Sequence, residues 1–238
     1  MKIIRLDEAD STNEYLKREN FSGDVCAVAA CQTGGRGTKG RSFCSERGGL
    51  YVSFQREYNA FPAERAFEIM INACTAVCAA LSSFGIAPVI RWPNDVLSGG
   101  LKISGTLIEN TLSNGNISRS IVGIGINVNN ALPTELKDIA TNMRTILGKK
   151  TEVDDVLQAL LKQMGRAFSV ADYKRYINWF GSEITLLRGD KSERAVALDI
   201  SPRGELVCSL GGKTVFVSSA EVSLRLQLYV GVRAVNKP

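Results

Sequence analysis

Apolar and polar positions alternate in two rhythms along the chain. Residues 1–8 (MKIIRLDE) read as a short strand. Ser11-Thr12-Asn13-Glu14 follows, and Ser11 with Glu14 three positions on has the spacing of a capping box, so a helix is expected from Ser11. Val25–Ala30 is an apolar run of strand length that feeds the loop Gln32–Arg41 (QTGGRGTKGR). Gly49–Glu57 reads as a strand. Pro62 opens a long Ala-rich stretch ending at Gly85, apolar on most faces and so expected as a helix buried against a sheet.

Val89–Trp92, Lys102–Glu109 and Ser120–Asn129 are strand candidates separated by turn clusters, the pattern of an antiparallel meander. At its centre lies Arg91–Glu109, expected as a strand, a polar turn, a Gly-Gly break and a second strand carrying Lys102. In the third candidate, Ile121, Gly123, Gly125 and Asn127 share one face and Val122, Ile124, Ile126 and Val128 the other. The second face suits a core. The first is stripped of bulk, which points to close approach of a ligand or to tight structural packing. Asn130–Lys150 is a polar connection with room for a short helix, and Val153–Phe168 and Asp172–Phe180 read as helices. From Glu183 the texture changes to five short alternating runs, the last being EVSLRL. The expected organisation is an α/β (α+β) domain over residues 1–182 with a mixed or antiparallel sheet, then a small β-barrel over residues 183–238.

Composition narrows the chemistry. Net charge is +5, from 29 basic and 24 acidic residues, a mild lean towards anionic ligands and too weak to imply nucleic acid. The absence of histidine excludes histidine-based triads, bases and metal sites. The six cysteines form no Cys-x-x-Cys pair and read as reduced thiols. No apolar run reaches membrane-spanning length, and the start lacks the apolar core of a signal peptide, so the expected compartment is the cytoplasm.

Three stretches can carry chemistry. Gly35–Gly40 matches G-x-G-x-x-G, and Gly35–Ser42 falls one residue short of a phosphate-binding P-loop. Those motifs must open a helix, and here turn and strand follow, so neither applies. What remains is a loop with three cations, Arg36, Lys39 and Arg41, and glycines that expose N–H groups. It can close over a nucleotide, or it is a solvated basic loop or an RNA contact. In Arg91-Trp92-Pro93-Asn94-Asp95, an amide and a carboxylate sit at a turn, placed to serve phosphate, Mg²⁺ or an incoming amine, or simply to make the turn. Lys102 on a strand can bridge two anions that would otherwise repel, or can guard a sheet edge.

STN near the start, Q-x-x-G-R-G-x-x-G-R, R-W-P-N-D, L-K-x-x-G-x-L-I-E and G-I-G-I-N-V-N occur here in that order. Together, from about Ser11 to Arg225, they resemble the biotin–protein ligases, also called biotin–[acetyl-CoA-carboxylase] ligases. The resemblance implies a class II synthetase-like catalytic domain followed by an SH3-like barrel. It implies that biotin is activated by Mg·ATP as biotinyl-AMP and passed to a lysine of a biotin carboxyl carrier domain, that of acetyl-CoA carboxylase or a related enzyme.

The resemblance also implies site residues. Ser11, Thr12, Asn13 and Gln32 hold the biotin rings. Gly35, Arg36, Gly37 and Thr38 line the loop over biotin, and Gly105 leaves room for it. Arg36 and Arg41 meet phosphates, and Lys102 bridges carboxylate and α-phosphate. Asn94 contacts the nucleotide, Asp95 the acceptor lysine, and Asn127 the adenine side. Whether the protein itself ligates a metal stays open. Two positions depart from the family pattern: Thr38 stands where arginine or another large residue is usual, and Phe43 where tryptophan is usual. The Thr38 departure predicts weaker retention of the adenylate. Some relatives carry an N-terminal helix-turn-helix; Ser11 follows Met1 closely here, so a ligase without DNA binding is expected. Dimerisation through an edge strand is an expectation of the resemblance alone. Competing readings are a lipoate or octanoate ligase of the same fold, a nucleic-acid binder, and a biotin- or nucleotide-sensing regulator without turnover.

Overall fold

In the computed structural model, residues 1–188, 191–218 and 223–226 are described. They fall into two compact units, Met1–Ile177 and Asn178–Pro238. Asn178–Ser182, expected to close the first domain, groups with the second unit.

The first unit comprises β1 (Lys2–Leu6), α1 (Thr12–Glu19), β2 (Val25–Ala29), β3 (Leu50–Pro62), α2 (Phe67–Ser82), β4 (Val89–Arg91), β5 (Asp95–Ser98), β6 (Leu101–Ser113), β7 (Asn116–Ile126), α3 (Met143–Leu147), α4 (Val153–Met164) and α5 (Val170–Lys174). Its seven strands form one mixed sheet in the order β1-β2-β3-β7-β6-β5-β4. Only β1 and β2 pair in parallel, because α1 crosses between them; the other neighbours are antiparallel.

The expected meander is present with one more strand. Asp95–Ser98, read from sequence as part of a polar turn, is β5, and its register places Asp95 beside Gly105. The turn proper shrinks to Trp92-Pro93-Asn94, with a cis bond before Pro93. Likewise only Asn114-Gly115 turns between β6 and β7, with φ of 50° and 76°; this pair tolerates left-handed backbone, so both strands run longer than expected.

α1 packs on one face of the sheet, and α2 and α4 lie against the other. On the α1 side Leu16, Val25, Ala27 and Ile121 form a small buried cluster. On the α2 side the greasy face of β7 is buried. One sequence expectation fails here. Ala63–Ser82 has the length and mean hydropathy (1.3) that a membrane-crossing helix would need. It folds as a turn followed by α2, ten of whose side chains are buried. Pro62 ends β3 rather than opening that helix. α4 stops at Gly165, and the helix expected over Asp172–Phe180 is the short α5, started by a full capping box of Ser169 and Asp172.

The second unit contains β8 (Glu183–Arg188), β9 (Lys191–Ile200), β10 (Leu206–Leu210), β11 (Lys213–Val217) and β12 (Ser223–Leu226), an antiparallel sheet in the order β11-β10-β9-β8-β12. Ile184, Leu186, Ala195, Ala197, Leu206 and Cys208 supply its core. The register shifts between Val207 and Cys208, which is why strict alternation in β9 breaks after Ala197. Glu221 and Val222 of the expected closing strand lie outside the described residues.

Candidate functional site

The site lies in the first unit, where α1, the Gln32–Arg41 loop and β5–β7 converge. It is built from the start of α1. Ser11, Thr12 and Asn13 are polar yet only 3–4% exposed, so each needs partners. The expected capping box does not form: Ser11 makes no side-chain capping bond, and Glu14 turns outward to Lys17 (2.9 Å) and Arg36 (2.8 Å). Instead Gln32 reaches the helix start. Its Oε1 accepts from the Thr12 N–H at 2.9 Å, and its Nε2 donates to Ser45 Oγ at 2.8 Å. Ser53, fully buried on β3, places its hydroxyl 2.6 Å from Thr12 Oγ1 and 2.5 Å from Asn13 Oδ1. Asn13 Nδ2 donates to Glu109 at 2.7 Å.

The glycine face of β7 lies opposite. A side chain at Gly123 would collide with the Asn13 amide, and one at Gly125 with the Phe43 ring. Gly105 pairs with Gly125 across β6–β7, and a Cβ there would stand 2.9 Å from Lys102 Nζ. The strand is bare because other site groups rest on it. The result is a narrow cleft of about 40 Å³ lined by Ser11, Thr12, Asn13, Gln32 and the three glycines, with Arg36, Gly37 and Thr38 above. That is far below the roughly 300 Å³ at which small-molecule pockets begin, so a ligand must lift the loop or Phe43.

The loop is a closed hairpin. Gly37 N–H donates to Arg41 O (2.6 Å) and Phe43 N–H to Gly35 O (2.9 Å). Gly35 lines neither pocket; its backbone is pressed against Phe43 and Ser45, so its role is in the hairpin. Arg36 is bound to Glu14 beside the narrow cleft, while Arg41 lines a second, broader pocket of about 660 Å³.

That second pocket is bounded by Arg41, Arg91, Asp95, Lys102 and Asn127 on one side and by Leu132, Leu136, Ile139 and Ala140 on the other. The apolar wall comes from a stretch whose sequence reads as a polar connection. It is seated against β6 by Lys102 N–H to Ile139 O (2.9 Å) and Thr141 N–H to Lys102 O (2.8 Å). The spacing of Leu132, Leu136 and Ile139 was the available signal. Asn127 donates to Thr141 O at 3.0 Å and accepts from Asn130 at 3.2 Å, which braces the same wall.

Lys102 and Phe43 line both pockets, so Lys102 stands at their junction. Its Nζ lies 2.6 Å from Asp95 Oδ1, and Arg91 holds Asp95 Oδ2 at 2.6 Å. Burial pushes the Asp95 carboxyl up, but the Lys102 and Arg91 charges outweigh it and hold the carboxyl below the ordinary 3.8. Asp95 therefore stays ionised and tethers the lysine. Asn94, expected on the nucleotide, lines the narrow cleft instead; its Nδ2 donates to Thr106 O at 2.9 Å. Tyr173 of α5 clamps the turn by donating to Pro93 O at 2.9 Å.

Among the described residues no three acidic, cysteine or histidine side chains gather as a metal site, and Asp95 is the only carboxylate lining the broad pocket. The sequence reading missed Ser53, Ser45, Glu109, Arg91 and the 132–140 wall. Ser53 gives no local pattern, and Glu109, although it closes the L-K-x-x-G-x-L-I-E motif, meets Asn13 ninety-six positions away, so neither role could be read from its neighbours.

The arrangement places a hydrogen-bonding cleft for a compact polar ligand next to a cation-rimmed pocket with an apolar wall, joined at one lysine. Comparison with known proteins follows the same outline. Residues 5–127 match the model of the biotin/lipoate A/B protein ligase family. A structure of the Aquifex aeolicus biotin protein ligase in complex with biotin and ATP superposes with a TM-score of 0.79 at 32% identity, covering 94% of this chain and 98% of that one. The Mycobacterium tuberculosis biotin--[acetyl-CoA-carboxylase] ligase is 27% identical over 90% of this chain and 86% of its own. The Bacillus subtilis bifunctional ligase/repressor BirA is 34% identical over 66% of this chain, and the match spans about half (49%) of that relative's length.

Proposed function

The chain belongs to the biotin/lipoate A/B protein ligase family, and on that premise we propose that it activates biotin with ATP and passes it to a lysine of a biotin carboxyl carrier domain. One observation carries this reading: Lys102 is shared by the two pockets, where a carboxylate and a phosphate would meet.

Biotin would enter the narrow cleft with its polar ring on Thr12, Asn13 and Gln32 and its carboxylate towards Lys102. ATP would lay its base along the Leu132–Ala140 wall and its phosphates towards Arg41, Arg91 and Lys102. Magnesium enters with the nucleotide, as part of that substrate. Carboxylate and α-phosphate repel, so the barrier falls when a fixed cation lies between them. The carboxylate oxygen attacks the α-phosphorus, the bond to the bridging oxygen breaks, and pyrophosphate leaves with the electron pair. Both arriving anions compete with Asp95 for Lys102 and Arg91, so binding frees the Asp95 carboxylate on the side where an acceptor amine must lose its proton. That amine then attacks the biotinyl carbonyl and AMP departs. Positioning supplies much of the remaining acceleration.

A lipoate-type reading fits less well. The cleft is floored by buried amides and hydroxyls, and a dithiolane ring offers them no hydrogen bonds; such a site rejects a ligand that leaves its polar groups unpaired. ATP–pyrophosphate exchange tests the choice. Exchange that depends on biotin, followed by transfer to a carrier domain, is expected. Exchange supported by lipoate and not by biotin would overturn the proposal.

A further inference from the structure

Asn13 is a buried polar group lining the narrow cleft, and an amide can present either end to a ligand. We propose that Glu109 is a positioning residue for biotin recognition: it fixes the orientation of the Asn13 amide and ties it, through Lys17 and Glu14, to Arg36 of the loop. The inference rests on the biotin reading above.

A carboxylate paired with a lysine only accepts hydrogen bonds, so Glu109 Oε2, 2.7 Å from Asn13 Nδ2, admits the NH₂ end alone. Ser53 meets the other end at Oδ1. The same carboxylate holds Lys17 through Oε1 at 2.5 Å, Lys17 holds Glu14 at 2.9 Å, and Glu14 holds Arg36 at 2.8 Å. A continuous chain thus runs from the buried amide to the loop cation, along one side of α1. The register explains its reach: Glu109 pairs with Ile121, beneath α1, and Gly123 under Asn13 is two residues further along β7.

Stability alone does not account for this placement. The Lys17 and Glu109 side chains are 34% and 30% exposed, and pairs so open to solvent contribute little to folding. The distinctive contact of Glu109 is the one to Asn13. If Glu109 sets which end of that amide faces Ser53, its removal lets the amide flip and mismatches the cleft's donors and acceptors with the ligand's.

Three readouts test this in the full chain. In Glu109→Ala the KM for biotin in ATP–pyrophosphate exchange should rise about tenfold, the cost of one mispaired buried amide, with a much smaller fall in kcat. Glu109→Gln should lie between that variant and the parent, because its own amide accepts the bond without enforcing it. In Asn13→Ala the further loss of Glu109 should cost little, since the amide it acts on is gone. A rise in KM equal in Asn13→Ala and parent backgrounds, or kcat and KM unmoved in Glu109→Ala, would overturn the inference while biotin-dependent exchange by the parent keeps the functional reading. An Glu109→Ala chain that loses its thermal transition would mark the residue as structural and overturn it too. No biotin-dependent exchange by the parent would overturn both.

Discussion

The two pockets flanking Lys102 are built in opposite ways. The narrow cleft is lined by short polar side chains that hold one another: Gln32 on Thr12, Ser53 on Thr12 and Asn13, Glu109 on Asn13. Little there can move independently, so recognition rests on matching donors to acceptors. The broad pocket is lined by long cations and an apolar wall. Recognition there rests on charge and surface, which tolerate small shifts. A site that joins a compact polar acid to a triphosphate needs both: discrimination on one side, and strong but adjustable attraction on the other.

Removing the shared residue tests the junction first. Lys102→Gln should lower biotin-dependent exchange by about a hundredfold to a thousandfold, the scale for losing one preorganised group that stabilises transition-state charge. An unchanged rate would separate the pockets functionally. Gly123→Ala comes next. Its methyl meets an Asn13 amide held from two sides, so the KM for biotin should rise by up to about a hundredfold while the KM for ATP stays within about twofold. Equal rises in both would show that the cleft is not insulated from its neighbour. The mirror experiment, Asn127→Ala, should raise the KM for ATP about threefold to tenfold and spare biotin, since it loosens the wall by a hydrogen bond.

Asp95 sharpens the comparison through pH. Its folded pKa lies below the ordinary 3.8, so its pairing stabilises the fold above that value and is lost as pH falls through the lower, folded value. Asp95→Asn should therefore be less stable than the parent by about 1–3 kcal/mol near neutrality, and the gap should close on acidification below pH ~4 in urea unfolding. A gap that widens on acidification would contradict the ion-pair role. The smallest effect is expected at Thr38, above the narrow cleft. Thr38→Arg should slow release of biotinyl-AMP a few-fold; equal release would mean the threonine departure costs nothing in retention.

Much of the scaffold was legible along the chain because it rests on local rules. Apolar periodicity located β2, β7 and α2, the turn clusters between strand candidates announced the antiparallel meander, and the alternation after Glu183 announced the second sheet. The bare face of β7 could also be read, since two glycines on one side of a strand have few other uses. The misreadings share a cause. Ser11-Thr12-Asn13-Glu14 satisfies the local capping pattern, but Gln32, twenty residues on, takes the helix start, and Arg36 with Lys17 takes Glu14. Asp95–Ser98 reads as turn because its polar ends outweigh Val96 and Leu97, both buried once β4 and β6 flank them.

By itself the sequence determined most of the strands and helices, the ordered motifs, and the need for chemistry without histidine, because each depends on the chain's own residues and their near neighbours. Only the tertiary structure decided that Lys102 joins two pockets, that Arg36 and Arg41 serve different ones, and that Glu109 reaches Asn13. Those are distances between residues up to ninety-six positions apart. They are set by sheet order and register, which no local pattern encodes.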